Sequence, residues 1–576
     1  MSIDHTSPSP VVILGGYGVF GGKLSQALLR DPNFHVLIAG RDTEKAQAFC
    51  RQHGGSPVCL DRNARNFATE LAKLIPAIIV DAAGPFQDYG AGKYCVAETA
   101  IDLKSHYLDL SDDAELTKGI VCLNERAQQA GVVLLSGVSS VPALSSAAVA
   151  TLKDDFDQID LIESTILPGN RAPRGLSVIR AILMQAGKRI PITRDGNPDH
   201  VIGWSGLRRD AIGGKNPGNL PRRWSSFIGA PDLTLFPKHY GARTVLFRAG
   251  LELSILHLGL WLLAWPVRLR MVRSLEPASR LLRTIAGWLE PFGTDRGGME
   301  VRVAGLDKSS RPVSRSWALI AEAGDGPHIP AVAATILCKR LLTQSVQPGA
   351  RACLGEFSLN EIEDATRHLS VTTDRQEELS PTLFQQALGL DFRALPAAIQ
   401  SLHTVFDRRT WTGRAKVTRG RSSLSLLLCR TFGFPAESDE TPLTVTIERR
   451  GNKEIWRRCF GAKAFQSVMS LRDNDGVGHI RERFGFMSFD INLLVDDEGL
   501  HFPVSRGTLF GTPLPKWLLP VSEATETSAN GIFNFDVKIS LPGIGMLVHY
   551  QGWLQAARAD TDCVQKADLK ATTSAR

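Results

Sequence analysis

The sequence predicts an α/β protein: a doubly wound parallel sheet with an α+β domain behind it, followed by a separate β-rich antiparallel sheet or barrel. Three observations carry this expectation. Over residues 1–150 short apolar runs alternate with helical segments, the pattern of βαβ units. From Asp157 the alternation gives way to longer strands around one strongly apolar helix. From Leu383 onward, segments of period two recur between turn residues such as Asp497-Glu498-Gly499 and Ala529-Asn530-Gly531, as in antiparallel sheets. The expected boundaries are 1–150, 151–365 and 383–557, with a charged linker over Glu361–Ser380 and a disordered tail over 558–576.

Composition narrows the classes. At 576 residues the chain is too long for one core, and 43% hydrophobic with 22% charged residues is ordinary for a globular protein. The net charge of +7 is small for this length and its Lys and Arg are dispersed, which excludes a nucleic-acid footprint. The nine cysteines contain no CxxC pair and no metal-ligand spacing, so they read as reduced thiols, without a metal site or disulfide framework. The first apolar run begins at Val11 behind a polar tail, no secretory signal is visible, and a cytoplasmic location is expected.

The first element explains most of the rest. Val11–Leu14 is a run of strand formers that leads into Gly15, Gly16, Tyr17, Gly18, Val19, Phe20 and Gly21, and Lys23–Arg30 reads as a helix. The glycine spacing is that of a dinucleotide turn: the first glycine permits the bend, the second lets a pyrophosphate approach, and the third lets helix pack on strand. The helix N terminus offers unpaired N–H groups to the phosphates. A second strand, His35–Ala39, ends in Gly40-Arg41-Asp42 where an acidic residue would accept from the ribose 2′-OH of NAD. A small residue followed by Arg41 and Lys45 makes room and charge for a 2′-phosphate, so NADP is expected; the alternative is NAD held by Asp42.

Subsequent elements follow the same logic. Asp42–His53 is a helix stopped by Gly54-Gly55, and Val58–Asp61 a third strand whose terminal Asp61 lies where adenine packs. Ala64–Leu74 is a helix, and Ile78–Ala82 a strand opening the loop Ala83, Gly84, Pro85, Phe86 through Gly90. A loop at the carboxyl edge of such a sheet lies where ligands bind. His106–Asp109 is another polar strand tip, and Val132–Leu135 leads into SGVSSVPALSS.

The glycine turn, AGR, AAGPFQDYG, HYLDLSDD and SGVSSVPALSS, in this order, resemble the saccharopine dehydrogenase-like NADP-binding oxidoreductases, closely over residues 10–150 and more loosely to about 365. The resemblance implies a Rossmann-type domain with Gly16, Gly18, Gly21, Arg41, Gly84, Pro85 and Phe86 at the cofactor. The amino-dicarboxylate contacts of the saccharopine reductases themselves have no match here.

In the second domain, Ile159–Leu167 is a strand, and the turn Gly169–Gly175 opens the helix Leu176–Gly187, whose N terminus with Arg171 and Arg174 could hold an anion or be a solvated turn. Residues 201–240 read as loop-rich. Leu251–Val267 is too short and too interrupted by Glu252, His257 and Pro266 to span a membrane, leaving a buried helix or one lying at a membrane surface. The expected proton donors or acceptors are Asp109, at a strand tip, and Tyr240, beside Lys238.

The C-terminal half, including GTPLPKWLLP and YQGWL, resembles an uncharacterised domain that follows the oxidoreductase in some bacterial proteins. Its Phe484, Phe486, Phe489, Phe533 and Phe535 either enclose an apolar ligand or fill the core. Together these features point to an NADP-dependent oxidoreductase with a small-molecule, apolar substrate, with a homodimer and a peripheral membrane contact as further expectations. The alternative class is a non-catalytic lipid- or protein-binding module stabilised by the nucleotide.

Overall fold

The computed structural model describes residues 8–173, 175–214, 218–431, 433–472 and 478–557. Arg174 and the tail 558–576, both part of expectations above, lie outside them. The chain divides into two compact units, one comprising residues 1–193, 198–303 and 314–378, the other 194–197, 304–313 and 379–576.

The first unit holds two seven-stranded sheets. In the first, β1 (Ser9–Leu14), β2 (Phe34–Gly40), β3 (Ser56–Cys59), β4 (Ile78–Asp81), β5 (His106–Asp109) and β6 (Val133–Ser136) stand in the order 3-2-1-4-5-6. All its pairings are parallel. This is the doubly wound Rossmann order, which reverses between β1 and β4 and leaves a crevice at their carboxyl ends. Val11, Val12 and Ile13 of β1 and Ile78, Ile79 and Val80 of β4 are fully buried, as expected of strands covered by helices on both faces. A seventh strand, Gly349–Ala352, returns from far along the chain to pair with β6.

The second sheet is mixed: Thr244–Gly250 runs parallel to Phe156–Leu167 and antiparallel to Leu220–Phe227. Residues 201–240, expected as loop, supply the strands Arg208–Ile212 and Leu220–Phe227 and the helix Asp232–Tyr240. The charged stretch expected as a linker forms the helix Leu359–Thr366 and the edge strand Val371–Leu379. Its charges fit an edge, where exposed side chains discourage further pairing. Inside this sheet Glu163 is buried against Arg208 at 2.9 Å, Arg302 at 2.8 Å and Arg248 at 3.1 Å. Burial alone would raise its pKa, but the three guanidiniums outweigh that and hold the carboxyl well below its usual range.

The apolar segment is the helix Ser254–Arg268, of which only His257, Ala264 and Val267 are buried. His257 anchors it, accepting from the Leu251 N–H at 3.2 Å and meeting the Ser226 hydroxyl at 3.0 Å; burial pushes its pKa down to about 4, so the ring is neutral. Ile255, Leu262, Leu263 and Trp265 are exposed, which overturns the buried-helix alternative. No helix among the described residues is long and apolar enough to cross a membrane.

The second unit is built on a 13-stranded sheet whose pairings are antiparallel. At its centre Gly545–Ala556 pairs with both Arg408–Arg419 and Ile532–Leu541. The inward row of these strands, including Trp411, Val445, Trp456, Phe533 and Tyr550, is buried, and outward positions such as Arg414 and Lys416 are exposed. This is the period-two alternation of a one-sided sheet.

Candidate functional site

The site is built from the crevice at the ends of β1, β2 and β4. Gly15 has φ +74°, a conformation that side chains disfavour, and its N–H bonds to Ala39 at 2.8 Å, which turns the chain across the end of β2. The helix Val19–Leu28, α1, begins directly after Gly18, with no side chain capping it and no acidic residue in its first turn. The leading N–H groups of a helix have no intrahelical partners, so they face the crevice as ready anion donors. A Cβ on Gly18 would come within 3.0 Å of the Gly15 carbonyl oxygen, and one on Gly21 would run into that same carbonyl and within 3.2 Å of Ala82. The cradle therefore requires glycine at Gly21 for the approach of α1 to β1 and β4, and glycine at Gly18 leaves the backbone open. Those features fit a pyrophosphate.

A second uncapped helix, Leu176–Gln185, starts beside the first: a Cβ on its N-cap Gly175 would touch Val19 at 3.7 Å. Arg171, expected near an anion here, donates instead to the Pro291 carbonyl at 2.9 Å.

At the end of β2 the ring of Tyr17 lies over Gly40, where a Cβ would overlap it, and the Tyr17 hydroxyl accepts from the Asp42 N–H at 3.2 Å. The Asp42 carboxylate caps its own helix, accepting from the Lys45 N–H at 3.1 Å and pairing with the Lys45 ammonium at 2.7 Å. Lys45 is therefore engaged, contrary to its expected role at a 2′-phosphate. Arg41 is exposed, and its guanidinium has no partner among the described residues. Asp61, expected at the adenine, accepts from the Asn63 N–H at 3.0 Å and holds its own turn.

The loop after β4 is set from beneath. Asp81 is fully buried, accepts from the Ala83 N–H at 3.1 Å and the Tyr89 hydroxyl at 3.0 Å, and lies 3.5 Å from the Arg62 guanidinium. Arg62 stacks on the Tyr89 ring at 3.3 Å. Sequence reading missed this triad because its members come from three separate elements. It leaves Ala83 exposed and Gly84 and Pro85 half-buried at the crevice. Phe86 is turned inward against Tyr89, with ring centroids 5.1 Å apart, so it supports the loop rather than presenting its ring to a ligand.

The two expected acid–base residues have structural tasks. Asp109 is fully buried; its Oδ1 accepts from Gly137 N–H at 2.8 Å, Ser136 Oγ at 2.9 Å and Ser111 N–H at 3.0 Å, and its Oδ2 has no partner. Burial pushes its pKa up to about 7 despite those three donors. It ties the tips of β5 and β6 together. The Tyr240 hydroxyl donates to the Ser146 carbonyl at 2.9 Å, and burial raises its pKa, so it is a poor acid near neutrality. Lys238 is exposed and makes no bond to it.

Comparison with known proteins agrees with this geometry. Residues 11–135 match the family model described as "Saccharopine dehydrogenase NADP binding domain", and residues 395–554 match "Domain of unknown function (DUF4166)". Among solved structures, an apo histidine-tagged saccharopine dehydrogenase (L-Glu forming) from Saccharomyces cerevisiae is 15% identical, covers 64% of this chain and 100% of its own, and has a TM-score of 0.46. A probable dehydrogenase from Thermotoga maritima is 10% identical, covers 62% of this chain and 93% of its own, with a TM-score of 0.31. The WlbA (WbpB) dehydrogenase from Thermus thermophilus, in complex with NAD and UDP-GlcNAcA, is 13% identical over 62% of this chain and 92% of its own, with a TM-score of 0.28. No curated protein matches. The N-terminal sheet thus carries a nicotinamide-dinucleotide domain of the saccharopine dehydrogenase type, joined in one chain to a C-terminal domain of the DUF4166 type.

Proposed function

We propose that the protein is an NADP-dependent oxidoreductase that moves hydride between NADPH and a C=O, C=N or C=C bond of a small, largely apolar substrate. Arg41 carries the cofactor choice: it stands exposed and unpartnered at the end of β2, beside a glycine, with the neighbouring carboxylate of Asp42 spent on its own helix. Val19 and Phe20, at the start of α1, would hold the pyrophosphate through backbone N–H groups, with the Gly16 and Gly18 N–H groups bonded inside the turn to Ile13, Ala39 and Gly15 carbonyls and these glycines giving the close approach, and Ala83, Gly84 and Pro85 would border the ribose beyond it. The nicotinamide supplies the hydride, and the protein's part is to bind and orient it. Asp109 acts on this reading as a positioning residue that fixes the β5 and β6 tips. Titration calorimetry with NADPH and NADH, followed by NADPH consumption across a carbonyl, imine and enoyl panel, tests the reading. Tighter binding of NADH would overturn the cofactor choice, and NADPH bound but never oxidised would overturn the enzyme.

The same reading includes contact with a membrane surface. Leu262, Leu263, Trp265, Leu269 and Met271, together with Leu281, Trp288 and Phe292 of the next helical stretch, are exposed large apolar residues. Arg268, Arg270, Arg273, Arg280 and Arg283 are exposed among them. Apolar side chains flanked by aromatics and basic groups are what an interfacial helix offers an anionic bilayer. Co-sedimentation with anionic but not neutral vesicles is the expected result.

A further inference from the structure

The concave face of the C-terminal sheet encloses a cavity of about 460 Å³. Pockets of roughly 300–1,000 Å³ receive small organic molecules, and a sheet of many strands curves around more space than its own side chains fill. Phe484, Phe489, Phe533 and Phe535 line the wall, so four of the five aromatics singled out in the sequence meet here; Phe486 instead lies on the surface. Leu402 lines it, next to His403, whose ring packs on Phe384 at 3.7 Å. Leu509 and Leu518 also line the cavity and are exposed, at 40% and 42%, which marks a mouth. Phe486 and Phe510 stack at 4.6 Å, both exposed, near that rim.

The polar groups on the wall define the guest. The Arg458 guanidinium is matched by Glu482 at 3.3 Å and Ser467 Oγ at 2.8 Å, and lies 5.0 Å from the Trp456 ring centroid. The Glu526 carboxylate is held by His403 at 2.6 Å. Neither charge is left to recruit an ion of opposite sign. Tyr550 is different: its side chain is largely buried and lines the cavity, and its hydroxyl has no hydrogen-bond partner among the described residues and is not sealed off from the cavity. An accessible, unpartnered hydroxyl on an apolar wall can both donate to and accept from a guest.

We propose that this cavity binds a neutral, predominantly apolar molecule whose one hydrogen-bonding oxygen, a hydroxyl or carbonyl, meets the Tyr550 hydroxyl. The proposal stands apart from the cofactor reading, because it needs neither NADP nor turnover.

The test uses the full chain, stripped on a hydrophobic resin, and diphenylhexatriene, a fluorescent hydrocarbon with no polar atom. Saturable binding of one equivalent is expected, displaced by oleyl alcohol at least about tenfold better than by oleate. Tyr550→Phe should leave the hydrocarbon's affinity within about twofold and weaken oleyl alcohol roughly fivefold, the worth of one neutral hydrogen bond. Ala524→Trp and, independently, Val504→Phe should abolish binding while thermal melts report folded protein. Absent or non-saturable binding, or undiminished binding to both folded filling variants, overturns the cavity as the site. Equal competition by oleate overturns the neutral class, and a Tyr550→Phe variant that weakens both ligands or neither overturns the role of its hydroxyl.

Discussion

Replacing Arg41 with alanine should separate the two nicotinamide dinucleotides. The side chain is exposed and makes no intramolecular bond, so its loss should leave stability within about 0.5 kcal/mol, the range of surface changes away from special features. A guanidinium on a 2′-phosphate contributes hydrogen bonds to a charged group, each worth about 1.5–3 kcal/mol. Exposure and salt screening favour the lower end. A loss of about 1.5 kcal/mol is roughly a tenfold rise in the Kd for NADPH. The Kd for NADH, which has no 2′-phosphate, should move less than about twofold. Calorimetry at two ionic strengths checks both numbers, and the NADPH advantage of the wild type should shrink at high salt. Lys45→Ala should reproduce little of this, because Lys45 is already paired with Asp42 at 2.7 Å. Equal weakening of both cofactors by Arg41→Ala would refute the placement of the phosphate.

Gly21→Val should abolish cofactor binding and cost about 2 kcal/mol or more in stability, because its Cβ would run into the Gly15 carbonyl; dye-monitored melts and calorimetry read both. Glu163→Gln should cost about 3 kcal/mol in chemical denaturation, since it leaves the buried Arg248 guanidinium against a neutral partner, while Arg208 keeps Asp210 at 2.6 Å and Arg302 is partly exposed. Asp109 and Asp232 are each raised to about 7 by burial, so the folded chain keeps protons that the unfolded chain has released. Their contribution is fully present below about pH 4 and falls as pH rises towards 7, by up to about 4 kcal/mol each. His257, held neutral by burial, acts in the opposite sense over about pH 4 to 6.5 in wild type and variant alike, so the expected signal is a difference: the melting temperature of Asp232→Asn relative to wild type should rise between about pH 5 and about pH 7, and a pH-independent difference would refute the placement of that proton. Leu262→Glu with Trp288→Glu should release the protein from anionic vesicles without altering NADPH affinity; retained co-sedimentation would count against the helical patch.

The C-terminal domain shows how far strand periodicity carries and where it stops. The Asn530-Gly531 turn expected from the sequence opens the strand Ile532–Leu541, both turn residues having positive φ. Gly545–Ala556 was missed although it is 12 residues long, because YQGWL carries a glycine where a side chain would be expected. The reason is contact: a Cβ on Gly552 would run into the Arg414 carbonyl of the neighbouring strand. Asp109, expected at the chemistry, meets backbone and hydroxyl donors of the neighbouring loop for a related reason. A polar residue at a strand tip is equally suited to meeting a ligand and to tying loops, and only the positions of Gly137, Ser136 and Ser111 decide between them.

The parallel sheet, the glycine turn and the absence of an acid at the end of β2 are legible in the amino-acid order, because each is a local property of a few adjacent residues. Tertiary structure alone decided that Lys45 is spent on Asp42, that Asp81, Arg62 and Tyr89 brace the crevice, that the apolar helix turns its leucines outward, and that a cavity lies inside the C-terminal sheet. Each of these depends on which distant side chain satisfies which charge, hydroxyl or apolar face. That pairing is fixed by packing, and local pattern carries no record of it.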